Sequence, residues 1–518
     1  MAVLTSVDLP FPPALVFLGV AVVALACRIV YNIYFHPLSK FPGPWYATST
    51  SLTSALISVA KVEPQWLLSL VNKYGTHTPI RVAPQMLLMP MHGALEDIYW
   101  DKHLNRKANF YGSGALGPPQ LFSTLDGEEH RRLRAAFGGQ QWTIGSLKNH
   151  SEPLIDDLVK LFTKQMTELA TTKKEVQLGE WLAWFAADVM SRLAFGEAFG
   201  FVESSGDHLK LLDSWRQGLR FFGLASRWTF LNQFVLKLPF VSSLLLPKSD
   251  DKGGMGWLMH QATVKVNQRE LEVERGTFEG EQDLLQHCLE ARMKGGEPVP
   301  KNQKIAHVTL LIQAGVDTTG TGLGNTMRYL LTNPTALRRA QQEIAAADAA
   351  GKLSTPIKYE ETLEHLPYFG ACIKEALRLS PPVTNLFARV VPPEGKVVQG
   401  HYIPPGTDVT SYAMVVQRDP EMYERPLMYD PERWLVSKEK TRRMEAASFV
   451  FGTGPRICLG KEIALMEMHK VLPEIIRRFD FELLDEGKFT VTGGTGWNEG
   501  FNARLSLKSL GDMDKGAG

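Results

Sequence analysis

The chain has 518 residues and a formal net charge of +1, with 44% hydrophobic and 21% charged residues. That balance excludes a disordered chain and any bulk attraction to nucleic acid, and no basic stripe with interleaved aromatics appears. The four cysteines (Cys27, Cys288, Cys372, Cys458) are too far apart for paired spacing, which argues against a disulfide framework or a zinc site and fits a reducing compartment. No linker, repeat or low-complexity block divides the chain after residue 45, so one large domain is expected.

Phe11 to Cys27 is apolar, and Ile29 to Phe35 continues the run after a single Arg28. At about 25 residues it can cross a bilayer once, with Arg28 snorkelling to the interface. Asp8 precedes the run and no small-residue cleavage site follows, unlike a signal peptide. Arg28 and Lys40 on its far side place the body in the cytosol. The proline-rich His36 to Pro44 is a stiff hinge. Residues 1–36 are therefore expected to anchor a body formed by 37–518; the alternative is a buried hydrophobic helix.

Residues 78–90 read as short strands with turns, and 107–124, with Gly112, Gly114, Gly117, Pro118 and Pro119, as a loop. Asp126 to Arg134 opens a helix with acids in its first turn. His130 and Arg134 share a face at i,i+4 and can serve one anion, although a solvated basic face has the same pattern. Residues 195–247 are unusually apolar for surface helices, with Phe221, Phe222, Trp228, Phe230, Phe234 and Phe240 among them.

Lys301 to Leu331, bounded by Pro300 and Asn333-Pro334, predicts a helix about 45 Å long. Its middle, Ala314-Gly-Val-Asp-Thr-Thr-Gly-Thr-Gly322, is a poor helix former, each Gly costing about 1 kcal/mol against Ala. A helix passing close to a large ligand would accept that: Gly315 opens space, and Thr318 can leave its hydroxyl free. The alternative is Thr318 bonding back to the Ala314 carbonyl.

Tyr368 to Leu379 is a shorter helix stopped by Ser380-Pro381-Pro382, with Glu375 and Arg378 at i,i+3. Gly400 to Thr410 reads as a hairpin, Lys438 to Arg443 as a solvated charge cluster, and Gly493 to Phe501 as a glycine-rich turn offering Trp497 or Phe501 to a ligand.

Near the C-terminus, Phe451-Gly-Thr-Gly-Pro-Arg-Ile-Cys-Leu-Gly460 sets Cys458 before an amphipathic helix, where N–H groups and the helix dipole favour a thiolate. Gly454 and Gly460 let backbone approach a large flat ligand, Arg456 reaches an anion at its edge, and Phe451 covers the sulfur side. Phe451, Gly454, Arg456, Cys458 and Gly460 match the haem-binding loop of the cytochrome P450 family at every position. The 314–322 segment resembles the family's oxygen-activating motif, and Glu375-x-x-Arg378 with Arg433 of Pro431-Glu-Arg-Trp434 its structural network.

The resemblance implies a mainly α fold with small β-sheets, a cytochrome P450 fold with one N-terminal transmembrane helix. It implies haem b with Cys458 as axial thiolate. Thr318 would then hydrogen-bond dioxygen and Asp317 help to bring protons from solvent. His130 stands where the family usually has Trp; with Arg134, Arg456 and Arg389 it would hold the haem propionates. The 107–124 loop would cover the pocket, Thr384 to Phe387 would line it, and 195–247 would roof it and touch the bilayer. No Gly-x-Gly-x-x-Gly fingerprint or flavin segment occurs, so NADPH–cytochrome P450 reductase, with cytochrome b5 as an optional second donor, would supply electrons. The expected partners are thus a reductase, dioxygen, membrane lipid and a lipophilic small-molecule substrate, with no nucleic acid, at the endoplasmic reticulum. Tyr34-Phe-His-Pro-Leu38 and Cys458 to Glu467 look like fungal microsomal members near pisatin demethylase, which implies oxidation of a secondary metabolite. The rivals are a haem-thiolate isomerase or dehydratase, in which the Asp–Thr pair is often lost, and a haem-binding sensor.

Overall fold

In the computed structural model, which describes residues 13–278, 280 and 283–508, the N-terminal run forms helix α1 (Pro13–Val30), continued by a π-helical turn at Tyr31–Phe35. Phe11 and Pro12, where the run was expected to begin, lie outside the described residues. Ala14–Phe35 has a mean hydropathy of 2.4, and Leu15, Leu18, Val20, Val22, Val23 and Leu25 are all exposed. A soluble core helix buries such residues; this one presents them outward on a length that suits a bilayer. Its base is fixed to the body. Asn32 Nδ2 donates to Ser49 O (2.8 Å), and the buried Arg81 donates from Nη1 to Asn32 O (2.7 Å).

Six further helices position the site: α2 (Gly127–Phe137), α3 (Leu178–Phe195), α4 (Leu211–Arg227), α5 (Lys301–Thr332), α6 (Pro367–Leu379) and α7 (Lys461–Arg478). Asp126 caps α2 by accepting from Glu129 N at 2.8 Å. The 32-residue α5 crosses the molecule as expected, and the main core packs around it, α3 and α7. Its glycines also allow close packing against neighbouring helices. A Cβ on Gly315 would lie 2.5 Å from Met190 Cγ, on Gly320 2.6 Å from Ala183 Cα, and on Gly322 2.3 Å from Met468 Cε. Gly315 therefore makes room for α3, and it also lines the cavity. The propensity cost of this stretch is offset by close packing of helices.

The sheets are small. Strands β1 (Ile80–Ala83), β2 (Met86–Leu88), β3 (Glu175–Gln177), β4 (Arg389–Val390), β5 (Lys396–Val398), β6 (His401–Ile403), β7 (Asp408–Thr410), β8 (Phe479–Asp485), β9 (Lys488–Thr492), β10 (Thr495–Glu499) and β11 (Asn502–Leu507) form sheets ordered β1-β2-β7-β4, β3-β11-β8, β5-β6 and β9-β10. Residues 400–410 are not the expected hairpin. β6 pairs backward with β5, whereas β7 runs parallel to β2 in another sheet. The Pro404-Pro405-Gly406 turn hands the chain from one sheet to the next, with Gly406 N donating to Val391 O (2.9 Å).

The Glu-x-x-Arg pair is buried and fully hydrogen-bonded. Glu375 accepts from Arg378 Nε (2.9 Å) and Nη2 (2.8 Å), Arg433 Nε (3.0 Å), Trp434 Nε1 (2.9 Å) and Asp430 N (3.0 Å). Satisfying both oxygens is what makes a buried ion cluster tolerable. The apolar 195–247 stretch divides. Phe222, Leu231 and Leu236 are buried, whereas Phe230, Phe234, Leu238, Phe240, Leu244 and Leu245 form an exposed ridge.

Candidate active site

Cys458 sits between a short turn and α7. Gly454 has φ +71°, and a Cβ there would lie 2.2 Å from Tyr99 O, so the turn requires glycine. Gly454 does not itself line the cavity. Cys458 N donates to Phe451 O (2.8 Å), which folds the loop back on itself and brings Phe451 beside the sulfur at the cavity wall. No heavy atom lies within 4 Å of a Cβ built on Gly460, which also faces the cavity.

Cys458 opens onto the cavity yet lies deep in the protein. Burial pushes its thiol above the ordinary range, against the Gly460 N–H and the charges of Arg134 and Lys461. A metal ion bound at this sulfur would displace the proton outright.

The cavity has a volume of about 310 Å³ and runs from this loop to the middle of α5. Thr318 lines it opposite the loop, and its Oγ1 donates to Ala314 O at 2.6 Å. Its hydroxyl is thus not free of the backbone. The proton is committed to Ala314, and the oxygen keeps its accepting capacity.

Asp317 is 1% exposed and does not line the cavity. It is held by Arg216 of α4, whose Nη2 lies 3.0 Å from Asp317 Oδ1, while Nη1 lies 2.7 Å from Glu180 Oε1 of α3. Burial raises the carboxyl of Glu180 in spite of Arg216. Asp317 is therefore one end of a closed triad rather than an open contact with solvent.

Five basic groups gather on one side of the cavity: Lys107, His130, Arg134, Arg389 and Arg456. Arg134 Nη1 donates to Ile457 O (2.9 Å), Arg389 Nη1 to Phe387 O (2.9 Å), Arg456 Nη2 to Asn105 O, and Lys107 Nζ to Phe122 O beneath the Tyr111 ring. Among the described residues none of the five has a carboxylate within 4.0 Å, and Arg456 Nη1 is buried without a partner. Burial, then mutual repulsion, drives His130 down to about 2, Arg456 to about 10 and Lys107 well below its usual range. His130 therefore stands here as a neutral imidazole, through burial first and its cationic neighbours second. Such a cluster is a strong receptor for a dianion. The residues fit haem: a soft axial ligand, a glycine with open space beside it, and an unmatched cationic edge for two propionates.

Lys107, Glu180 and Arg216 were missed in the sequence; none belongs to a motif, and only the fold brings them to the site. Asn385 and Phe387 line the cavity, whereas the alternate residues Thr384 and Leu386 point into the body. Trp497 and Phe501 do not reach the cavity. Trp497 packs with Phe110 and Phe222, Phe501 lies in the main core, and Thr495 of β10 is the residue that lines it.

A family model described as cytochrome P450 matches residues 68–494. The chain is 31% identical to cytochrome P450 monooxygenase gsfF of Penicillium aethiopicum, over 94% of this chain and 97% of that one. It is 31% identical to a cytochrome P450 monooxygenase of Aspergillus terreus, over 86% of this chain and 91% of the relative. With cytochrome P450 monooxygenase pkfB of Emericella nidulans the identity is 30%, over 92% and 94%.

Proposed function

The chain belongs to the cytochrome P450 family of monooxygenases, and from that premise we propose that it oxidises a lipophilic secondary metabolite at a fungal endoplasmic reticulum membrane. Substrate R–H, dioxygen, NADPH and a proton become R–OH, water and NADP⁺, the two electrons arriving through a separate reductase. Residues 1–36 act as anchor and 37–518 as the cytosolic body. The unburied α1 and the exposed apolar residues from Phe230 to Leu245 support membrane contact.

When bound, haem supplies the one-electron and dioxygen chemistry that side chains lack. We assign it as non-covalent haem b, since no C-x-x-C-H attachment run occurs in the sequence. Cys458 would hold its iron through the thiolate, and Phe451 would exclude water from the sulfur side. Arg134, Arg389, Arg456, His130 and Lys107 would hold the propionates. Thr318, its own proton given to Ala314, accepts a hydrogen bond from a water or other proton donor and so fixes it in the cavity. Asp317, paired with Arg216 behind the cavity wall, acts as a positioning residue for the α5 turn that carries Thr318.

The observation that carries this reading is that Cys458 and Thr318 face one cavity whose cationic edge has no acid of its own among the described residues. The test is reconstitution with a fungal P450 reductase. Substrate-stimulated NADPH consumption that yields hydroxylated product is expected, and isomerised product without NADPH use would favour the isomerase reading.

A further inference from the structure

Away from the cavity, four side chains able to ligate a metal meet at one end of the β1-β2-β7-β4 sheet. β7 runs parallel to β2, with Thr410 opposite Leu88, and β1 runs antiparallel to β2, with Ile80 opposite Leu88. The start of β1 and the ends of β2 and β7 therefore lie side by side. His77 just precedes β1, His92 follows β2, and Asp419 and Glu421 follow β7 after the short helix Ala413–Val416. His92 Nδ1 lies 2.8 Å from Asp419 Oδ2, and His77 Nε2 lies 3.6 Å from Glu421 Oε1. The donor atoms of His92, Asp419 and Glu421 all lie within 4.8 Å of one another. None of the four residues lines the cavity.

The cluster is short of positive charge. Among the described residues neither carboxylate has a lysine or arginine within 4.0 Å, so their basic partners are imidazoles. Asp419, 5% exposed, is fixed through its other oxygen, which accepts from Glu421 N at 3.0 Å. His77 and Glu421 are exposed and close the cluster from the solvent side. We propose that His92, Asp419, Glu421 and His77 bind one zinc ion. Zinc bonds of about 2.0–2.1 Å set tetrahedral donor atoms about 3.3 Å apart. The 2.8 Å and 3.6 Å separations lie on either side of that value. Two imidazoles with two carboxylates suit zinc better than calcium or magnesium, which take oxygen donors. On binding, the proton between His92 and Asp419 is released to solvent and the metal takes its place. The ion then staples together three segments that are far apart in the chain. The proposal goes beyond the haem-thiolate reading and does not depend on it.

The test is zinc uptake by the untagged, haem-loaded full chain, stripped of loose metal by dialysis against EDTA and titrated in competition with a chromophoric chelator. The wild type should take up one zinc equivalent at micromolar free metal. His92→Gln and Glu421→Gln should each weaken that uptake about tenfold or more, and His77→Ala should weaken it as well. Cobalt in place of zinc should give visible absorption bands of tetrahedral intensity that His92→Gln loses. Without zinc, the exposed-site variants Glu421→Gln and His77→Ala should unfold at the wild-type midpoint, so weaker uptake in them reports lost ligands rather than a lost fold. No zinc equivalent bound by the wild type, or the same uptake in the wild type and all three variants, would overturn the proposal and leave a His92–Asp419 hydrogen bond only.

Discussion

Arg216 Nη2 lies 3.0 Å from Asp317 Oδ1, and the same guanidinium spans to Glu180 at 2.7 Å. One cation thus joins three helices behind Thr318. Removing it leaves the buried Asp317 and the partly buried Glu180 without their shared cation. Arg216→Leu should cost about 3–5 kcal/mol of stability, measured by urea unfolding. Arg216→Lys, which cannot bridge both acids with a planar fork, should lose part of that and reduce coupling of NADPH to product. Stability within about 0.5 kcal/mol of wild type for Arg216→Leu would remove the triad from the account.

At Thr318 the expectation concerns the oxygen rather than the proton. Thr318→Ser retains the donation to Ala314 and should stay coupled; Thr318→Ala should bind substrate yet release most electrons as hydrogen peroxide. Peroxide and product are quantified per NADPH consumed. Tight coupling in the alanine variant would exclude the role.

On the cationic edge, Arg134→Ala should speed haem transfer to an apo-globin acceptor more than His130→Ala, because arginine keeps its charge and binds a carboxylate bidentately. His130→Trp should be tolerated. Lys107→Met, at a buried lysine beside Arg456, should also speed loss. Wild-type rates for all of these variants would place the propionates elsewhere.

Acid sensitivity has a separable source in His469, which burial drives down to about 4 from 6.5. Its folded pKa lies below its unfolded one, so the unfolded chain binds more protons between these values. Stability from this group is present above pH 6.5 and lost as pH falls toward 4, by up to about 1.4 kcal/mol per pH unit. Glu467 and Asp408, raised by burial, act in the opposite direction, so the informative quantity is a difference. His469→Leu should flatten the dependence of unfolding free energy on pH between 4 and 6.5 relative to wild type. Parallel curves would contradict the shift.

For the membrane, truncation should stop after Val30, because Asn32 holds Arg81 and Ser49. The chain lacking residues 1–30 should remain a folded haem protein that partitions less into phospholipid vesicles. Phe240, 78% exposed, carries part of what remains, and adding Phe240→Asp should lower it further. Failure of the truncated chain to fold would return the run to the core.

Much of this was legible along the sequence because the motifs are local. The Cys458 loop, the ends of α5 and the Glu375–Arg378 pair are each set by residues within a few positions of one another. What was not legible depends on partners distant in the chain. The glycines of α5 answer to Met190 and Ala183 on α3, and nothing near position 315 announces that. Strand β7 pairs with β2, more than 300 residues earlier, so a local reading made it half of a hairpin. Trp497 or Phe501 was expected to reach the ligand, yet Trp497 packs with Phe110 and Phe222 and Phe501 lies in the main core, while Thr495 lines the cavity. Lys107 and Arg216 became visible only when the fold set cations against one cavity and one acid.

The most direct measurement is the ferrous–carbonyl absorption spectrum of wild type and Cys458→Ala. A strongly red-shifted Soret band in the wild type, absent from the variant together with all turnover, is the expected result. The same red-shifted band and turnover in Cys458→Ala would contradict a haem held through this sulfur.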